Sequence, residues 1–202
     1  PESWTDLFRD HILVEEFLNS NGLMDISDAT ANALSRQKGG LVCDCLTTLS
    51  DAASEALSKH KGWLNLNGLT KLSDAAAESL SKHEGRLLLN GLTTLSDAAA
   101  ESLSKYEGYA CYSHGTLFLD GLTELSDAAA ESLSKYQGNL GLNGLTGLSD
   151  AAAEFLSNHE GDLYLGGITE LSRVAAKFLS THSGSICDKN PRTWVRSIKK
   201  TK

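Results

Sequence analysis

A block of 23 residues recurs along this chain, and the recurrence limits the folds that the chain can adopt. The segment GLTKLSDAAAESLSKHEG at 68–85 returns almost unchanged at 91–108 and at 121–138. Each copy can be indexed by the hydrophobic residue that precedes its serine, and these residues are Ile26, Leu49, Leu72, Leu95, Leu125, Leu148 and Leu171. Their spacing is 23 residues, except for one gap of 30. The sequence therefore predicts seven copies of one unit, with a seven-residue insertion between the fourth and the fifth.

The first part of each copy has the pattern of a short strand. In the segment at 62–68, Leu64 and Leu66 alternate with Trp63 and Asn65. Alternation of this kind places the leucines on one face of a strand and the intervening side chains on the other.

The second part of each copy has the pattern of a short helix, at about 74–83 in the third copy. Ser73 is a good N-cap, and Ala76 and Leu80 are spaced to form one buried stripe. Gly85 is placed to end the helix in a left-handed conformation and turn the chain into the next strand.

One strand and one helix cannot bury a core alone, but stacked copies can. We therefore expect an α/β solenoid, with parallel strands on the concave side, helices on the convex side and terminal caps. Residues 1–21 are predicted to form an N-terminal helical cap, and residues 22–184 the solenoid, with its insertion at 109–115. Residues 185–202 are predicted to form a C-terminal cap strand and a basic tail, in which Trp194 covers the last leucines.

The pattern L-x-L-x-x-L-T-x-L-S-D-x-A-A-x-x-L resembles bacterial leucine-rich repeats near the ribonuclease-inhibitor-like branch. It is clearest at 64–80, 87–103 and 117–133, and the resemblance covers about 170 of the 202 residues. It implies an arc whose strands line a concave, ligand-binding face, and the ligands of such arcs are usually proteins. One position departs from the family pattern, because leucine replaces the usual asparagine at Leu69, Leu92, Leu122 and Leu145.

Candidate binding residues are the strand positions that vary between otherwise similar copies. One column reads Val42, Asn65, Leu88, Phe118, Gly141 and Tyr164, and the column before it reads Gly40, Trp63, Arg86, Thr116, Asn139 and Asp162. Exposed aromatic and arginine side chains are typical anchors of protein interfaces. The predicted partner-binding residues are Trp63, Asn65, Arg86, Leu88, Thr116, Phe118 and Tyr164, together with Tyr112 and His114 of the insertion. Neutral drift on an exposed sheet, and a merely tolerated loop, are the alternatives.

Several polar columns recur with the repeat and are interpreted as structural. The column His60, His83, Tyr106, Tyr136, His159 and His182 is expected to pack with its polar tips in water. The aspartates Asp51, Asp74, Asp97, Asp127 and Asp150 are placed to favour helix N-termini. Asp44, Asn67, Asn90, Asp120 and Asn143 are expected to form hydrogen-bond ladders rather than calcium sites. No metal or other cofactor is predicted.

Net charge and cysteine content limit the classes of partner and the cellular location that the sequence favours. A net charge of −8 argues against nucleic-acid binding by the body of the protein, and no stretch has the roughly 18 to 20 apolar residues of a membrane helix. The last eleven residues are basic and contain no acid, which predicts a solvated tail, with a phosphate or membrane-surface contact as the alternative. Cys43, Cys45, Cys111 and Cys187 match no zinc, redox or disulfide framework, which favours a reducing, cytoplasmic location.

The sequence favours a non-enzymatic domain that binds a protein partner through its concave strand face and belongs to a larger protein. The alternative is a structural or regulatory array that packs against its own parent protein or self-associates. A consensus-built design would explain the near-identical copies but not the insertion. An enzyme would need a role for Cys45 or His114, and no catalytic motif accompanies either residue.

Overall fold

The computed structural model describes residues 24–108 and 115–201. The predicted N-terminal cap at 1–21 lies outside the described residues, as do Tyr112 and His114 of the insertion.

Six short strands form one parallel sheet in chain order. They are β1 (Leu41–Val42), β2 (Leu64–Asn65), β3 (Leu87–Leu88), β4 (Thr116–Phe118), β5 (Asn139–Gly141) and β6 (Leu163–Tyr164). Each strand pairs with the equivalent position of the next, as in Leu41 with Leu64 and Leu64 with Leu87. The 30-residue gap does not break this register, because Leu88 still lies opposite Phe118. The strands on the two sides of the insertion therefore keep the pairing seen between the other copies.

Seven helices of the repeat pack side by side along the sheet. They are α1 (Asp28–Leu34), α2 (Asp51–Ser58), α3 (Asp74–Leu80), α4 (Asp97–Leu103), α5 (Asp127–Leu133), α6 (Asp150–Ser157) and α7 (Arg173–Leu179). Every one follows a serine in extended conformation whose side chain accepts a hydrogen bond from the third helical amide, as Ser73 does from Ala76. The predicted α/β solenoid is confirmed. No helix of the described residues is long and apolar enough to cross a membrane.

The core lies between the sheet and the helices. Leu64, Leu66 and Leu80 have no exposed surface, and neither do their counterparts in the next copies. Leu69, in the turn after β2, is also fully buried. The leucine at this position therefore extends the apolar core toward the turn.

The expectation for Gly85 is wrong. Among the described glycines only Gly39 and Gly108 have positive φ. The helix ends at Leu80 with Ser81 still in the right-handed region. Glycine is required at 85 by proximity, since a Cβ there would lie 2.0 Å from the carbonyl oxygen of Gly62.

A serine–aspartate ladder joins the helix N-termini. Ser73 Oγ donates to Asp51 Oδ1 of the preceding helix at 2.5 Å, and Ser96 donates likewise to Asp74. Each serine thus caps its own helix and bonds the previous one, while each aspartate also lies at the positive end of its helix. The sequence predicted the capping but not the contact between copies.

Replacing Asp74 with alanine should lower the free energy of unfolding by about 1 kcal/mol, because it removes both the acceptor of Ser96 and a favourable helix-dipole charge. Glu78→Ala removes a charge from the same helix but breaks only an exposed ion pair with Lys82, and it should cost at most about 0.5 kcal/mol. Urea denaturation of the two variants makes the comparison. Equal losses would show that the ladder adds nothing beyond charge.

The C-terminal segment closes the solenoid differently from the prediction. Ile186 forms isolated bridges with Leu163 and Lys189 rather than a strand. Helix α8 (Pro191–Ser197) begins with its proline in the first turn, where no amide donor is needed. Trp194 on α8 is only 4% exposed and joins the core.

The basic tail is also more ordered than a solvated end. Strand β8 (Lys199–Thr201) pairs in parallel with β7 (Glu170–Ser172), so its backbone is fixed against the last repeat. The side chains of Lys199 and Lys200 remain exposed.

Candidate binding face on the parallel sheet

The sheet face opposite the core carries the variable positions predicted to bind a partner. We call this the strand face and define it by Trp63, Asn65, Arg86, Leu88, Thr116, Phe118 and Tyr164. Trp63 and Arg86 are exposed, and the other five are half-buried. Since the strands are in register, these residues form two adjacent columns running across β2 to β6. The fold thus brings together residues that lie up to 101 positions apart in the chain.

The indole of Trp63 lies against the backbone of the preceding repeat at Gly40. A Cβ built on Gly40 would be 1.8 Å from Trp63 Nε1 and 1.9 Å from Cε2. Glycine at 40 therefore provides the space that the indole occupies. The ring keeps 40% of its surface exposed, although it rests on the sheet. An aromatic side chain held in this way is preorganised to contact a partner.

Arg86 and Phe118 form the centre of the strand face. The Arg86 guanidinium lies over the Phe118 ring at 4.8 Å from its centroid, within the range of a cation–π contact. The contact joins β3 to β4 across the site of the insertion. It also restrains a long side chain that would otherwise lose conformational entropy on binding.

A gap in the side-chain column follows Phe118. The next residue across the sheet is Gly141, and the one after it is Tyr164. A Cβ on Gly141 would lie 3.0 Å from Asp120 Oδ1. The position therefore has no side chain and leaves little room for one. Phe118 and Tyr164 stand two strand spacings apart, about 10 Å, with this notch between them.

The far end of the face is acidic. Partial burial and the carboxylates of Asp188 and Asp162 raise the pKa of Tyr164. Cys187 and Asp188 have φ of 49° and 58°, and the Cys187 sulfur accepts a hydrogen bond from the Leu165 amide at 3.3 Å. Sequence reasoning missed this loop as part of the face, because a left-handed pair without glycine leaves no signal in the sequence.

The asparagines and aspartate at the strand ends form the predicted ladder. Asn67 Oδ1 accepts from the Asn90 amide at 2.9 Å, and Asn90 Oδ1 accepts from the Asp120 amide at 3.2 Å. Asp120 continues the ladder to Asn143, which continues it to Gly166. The ladder prediction is confirmed for Asn67, Asn90, Asp120 and Asn143, which connect each turn to the next. It is wrong for Asp44, because the Asn67 amide donates to Asn65 Oδ1 instead.

The histidine and tyrosine column is structural, but the prediction that its polar tips lie in water is wrong. The six rings are at most 5% exposed, and they stack pairwise at about 6.4 Å, as His60 does on His83. Tyr106 Oη donates to the Gly85 carbonyl at 2.5 Å, and His83 Nδ1 bonds the Ser58 carbonyl at 3.2 Å. These bonds satisfy carbonyls of the neighbouring repeats, whereas the Nε2 atoms of His83, His159 and His182 are buried without a hydrogen-bond partner among the described residues.

The helical layer and the cysteines offer less to a ligand. A groove of about 770 Å³ between α3 and α4 is lined by exposed ion pairs such as Glu78–Lys82 and Glu101–Lys105, which recur with the repeat. Burial raises the pKa of the Cys43 thiol to about 12, so it stays protonated at neutral pH. Within the described residues no group of three or more histidine, cysteine or acidic side chains could hold a metal ion.

No protein-family model matches this chain, and no curated protein is similar to it.

Proposed function

We propose that this chain is a non-enzymatic leucine-rich-repeat domain that binds a protein partner through its strand face. The observation that carries the proposal is the arrangement of Trp63, the Arg86–Phe118 pair and Tyr164 on one face of a regular sheet. The repeat itself does not require these side chains, because near-identical copies carry other residues at the same positions.

The chemistry of the face supports a protein ligand. Aromatic and arginine side chains dominate the binding free energy of protein interfaces, particularly when the fold restrains them before binding. Trp63 rests on Gly40 and Arg86 on Phe118, so both are restrained in the free protein. A face with an arginine at its centre and carboxylates at its end favours a partner of mixed charge.

The non-enzymatic part of the proposal is supported by the roles of the reactive side chains. The column histidines hydrogen-bond to backbone carbonyls, and the aspartates at the helix N-termini accept from serines. Cys43 is buried and protonated. The histidines and aspartates thus serve the contact between repeats, and Cys43 belongs to the core.

The test compares a strand-face variant with a helical-layer variant in the same pull-down. The first is Trp63→Ala/Phe118→Ala/Tyr164→Ala, and the second is Glu78→Ala/Glu101→Ala/Glu131→Ala, which removes three exposed side chains that recur with the repeat. We expect a partner from a lysate of the source cells to be captured about tenfold less by the strand-face variant, and equally by the other.

Circular dichroism and thermal melting must first show that both variants are folded. Equal capture by both variants would place the site elsewhere and contradict the proposal. Capture by neither variant nor the wild type would favour a solenoid that packs against its own parent protein.

A further inference from the structure

The charge of this chain is segregated along the solenoid. Residues 173–202 contain eight of the eighteen lysines and arginines but only one of the 26 acidic residues, Asp188. The remaining 172 residues are therefore strongly acidic, although the net charge of the whole chain is only −8. The basic end coincides with the last repeat and its cap.

The last repeat helix, α7, has an exposed surface of opposite charge to that of the repeat helices before it. Helices α3, α4 and α5 all read DAAAESL, whereas α7 reads RVAAKFL. At the exposed positions Arg173 replaces aspartate, Val174 replaces alanine and Lys177 replaces glutamate. The buried alanines and the buried leucine are unchanged, so the core does not require these replacements.

The end of the serine–aspartate ladder explains only part of this reversal. Ser172 donates to Asp150, and no repeat helix follows α7 to supply another serine. An aspartate at 173 would therefore lack that partner, but this does not call for an arginine. In α3 and α4 the glutamate at this position forms an ion pair with a lysine four residues later. Lys177 does not form a reversed pair of this kind, since residue 181 is a threonine whose hydroxyl donates to the Phe178 carbonyl.

Helix α8 adds a second basic pair at the same end. Arg192 and Arg196 are four residues apart and exposed, and α8 packs against α7. Neither these arginines nor Arg173 and Lys177 form an ion pair within residues 24–108 and 115–201. Four cations are thus concentrated at this end without internal neutralisation.

We propose that this basic cap surface, defined by Arg173, Val174, Lys177, Arg192 and Arg196, binds the surface of an anionic phospholipid bilayer. Clusters of lysine and arginine bind such surfaces electrostatically, each cation adding to the affinity. Val174 is 48% exposed between two cations, where its side chain can enter the headgroup region. This binding is independent of the strand face.

Two features favour a bilayer over a nucleic acid. Trp194, the aromatic residue of α8, is only 4% exposed, so it cannot stack on a base. The cations lie at one end of the solenoid, and each repeat moves about 4.8 Å further away. A planar surface can contact this end of the solenoid alone, whereas a duplex would extend along the acidic repeats.

The experiment measures co-sedimentation with vesicles of phosphatidylcholine containing about 30% phosphatidylserine. The variant Arg173→Asp/Val174→Ala/Lys177→Glu gives α7 the exposed residues that α3, α4 and α5 already carry, so it is compatible with the fold. We expect the wild type to bind, and the variant to lose about 30-fold or more in affinity. A second variant, Arg192→Gln/Arg196→Gln, removes two positive charges without adding negative ones. It should also bind the anionic vesicles less tightly than the wild type.

The matched control is Lys59→Glu/Lys105→Glu, which changes the net charge by the same amount on distant helices and should bind almost as the wild type does. Binding of the wild type should disappear in about 0.5 M salt and on pure phosphatidylcholine. Failure of the wild type to bind anionic vesicles would overturn the proposal. So would equal binding by the α7 variant, or tighter binding of the wild type to a duplex oligonucleotide through the same residues.

Discussion

Gly91→Ala is expected to lower the free energy of unfolding by about 3 kcal/mol or more. A Cβ at this position would lie 1.9 Å from the carbonyl oxygen of Asn67 and 2.7 Å from that of Leu69. Both are backbone atoms of the neighbouring repeat, so no side-chain rotation can relieve the clash. The two turns would have to separate, which would weaken the asparagine ladder and the adjacent strand pairing. Urea denaturation followed by circular dichroism measures the loss.

Gly147→Ala is the matched control, since it makes the same substitution at a glycine that is not in close contact with a neighbouring repeat. A Cβ there would meet no heavy atom within 4 Å, and the glycine φ is not positive. Alanine at 147 should therefore be neutral, or stabilise by up to about 1 kcal/mol by restricting the unfolded chain. A large loss in both variants would show that glycine flexibility, rather than close packing of repeats, explains the turns.

The repeat was enough to predict the fold because every contact recurs. The 23-residue period places Leu64 beside Leu41 and Leu87, and this in-register stacking is what the sheet shows. The period could not reveal why glycine stands at 85. Its reason is the Gly62 carbonyl one repeat away, whereas sequence reasoning considered only the local helix end.

The strand face was predictable in position but not in detail. Alternation along β2 predicted that Trp63 and Asn65 face away from the leucines. The contact of Trp63 with Gly40, and of Arg86 with Phe118, depends on side-chain directions between different repeats. The only sequence signal for the contact of Trp63 with Gly40 is that a glycine precedes a tryptophan in the same column.

Stability should fall as the pH drops below about 6.5, and three column histidines should account for much of the change. Burial lowers the pKa values of His83, His159 and His182 in the folded protein. Below the unfolded pKa the unfolded chain therefore binds protons that the native state excludes. The contribution of these three histidines to the free energy of unfolding is complete above pH 6.5. It is lost as the pH falls through their folded pKa values. The three histidines together can contribute at most about 4 kcal/mol per pH unit.

The chain itself supplies the control for this prediction. Tyr106 and Tyr136 occupy the same column, and their hydroxyls donate to the carbonyls of Gly85 and Gly115, each 21 residues earlier. In His83→Tyr/His159→Tyr/His182→Tyr, each new hydroxyl would face an equivalent glycine carbonyl. The variant should equal the wild type near pH 7.5 and lose less stability than the wild type by pH 5.

Urea denaturation at a series of pH values from 8 to 5, about one unit apart, measures both proteins. The carboxylates contribute equally to both, so the difference between the two profiles isolates the histidines. Parallel profiles would mean that the native histidines accept protons as readily as the unfolded ones, in spite of rings that are at most 5% exposed. Since these rings lie buried against carbonyls of the preceding repeats, protonation places an unfavourable buried charge at the contact between repeats and so destabilises that contact.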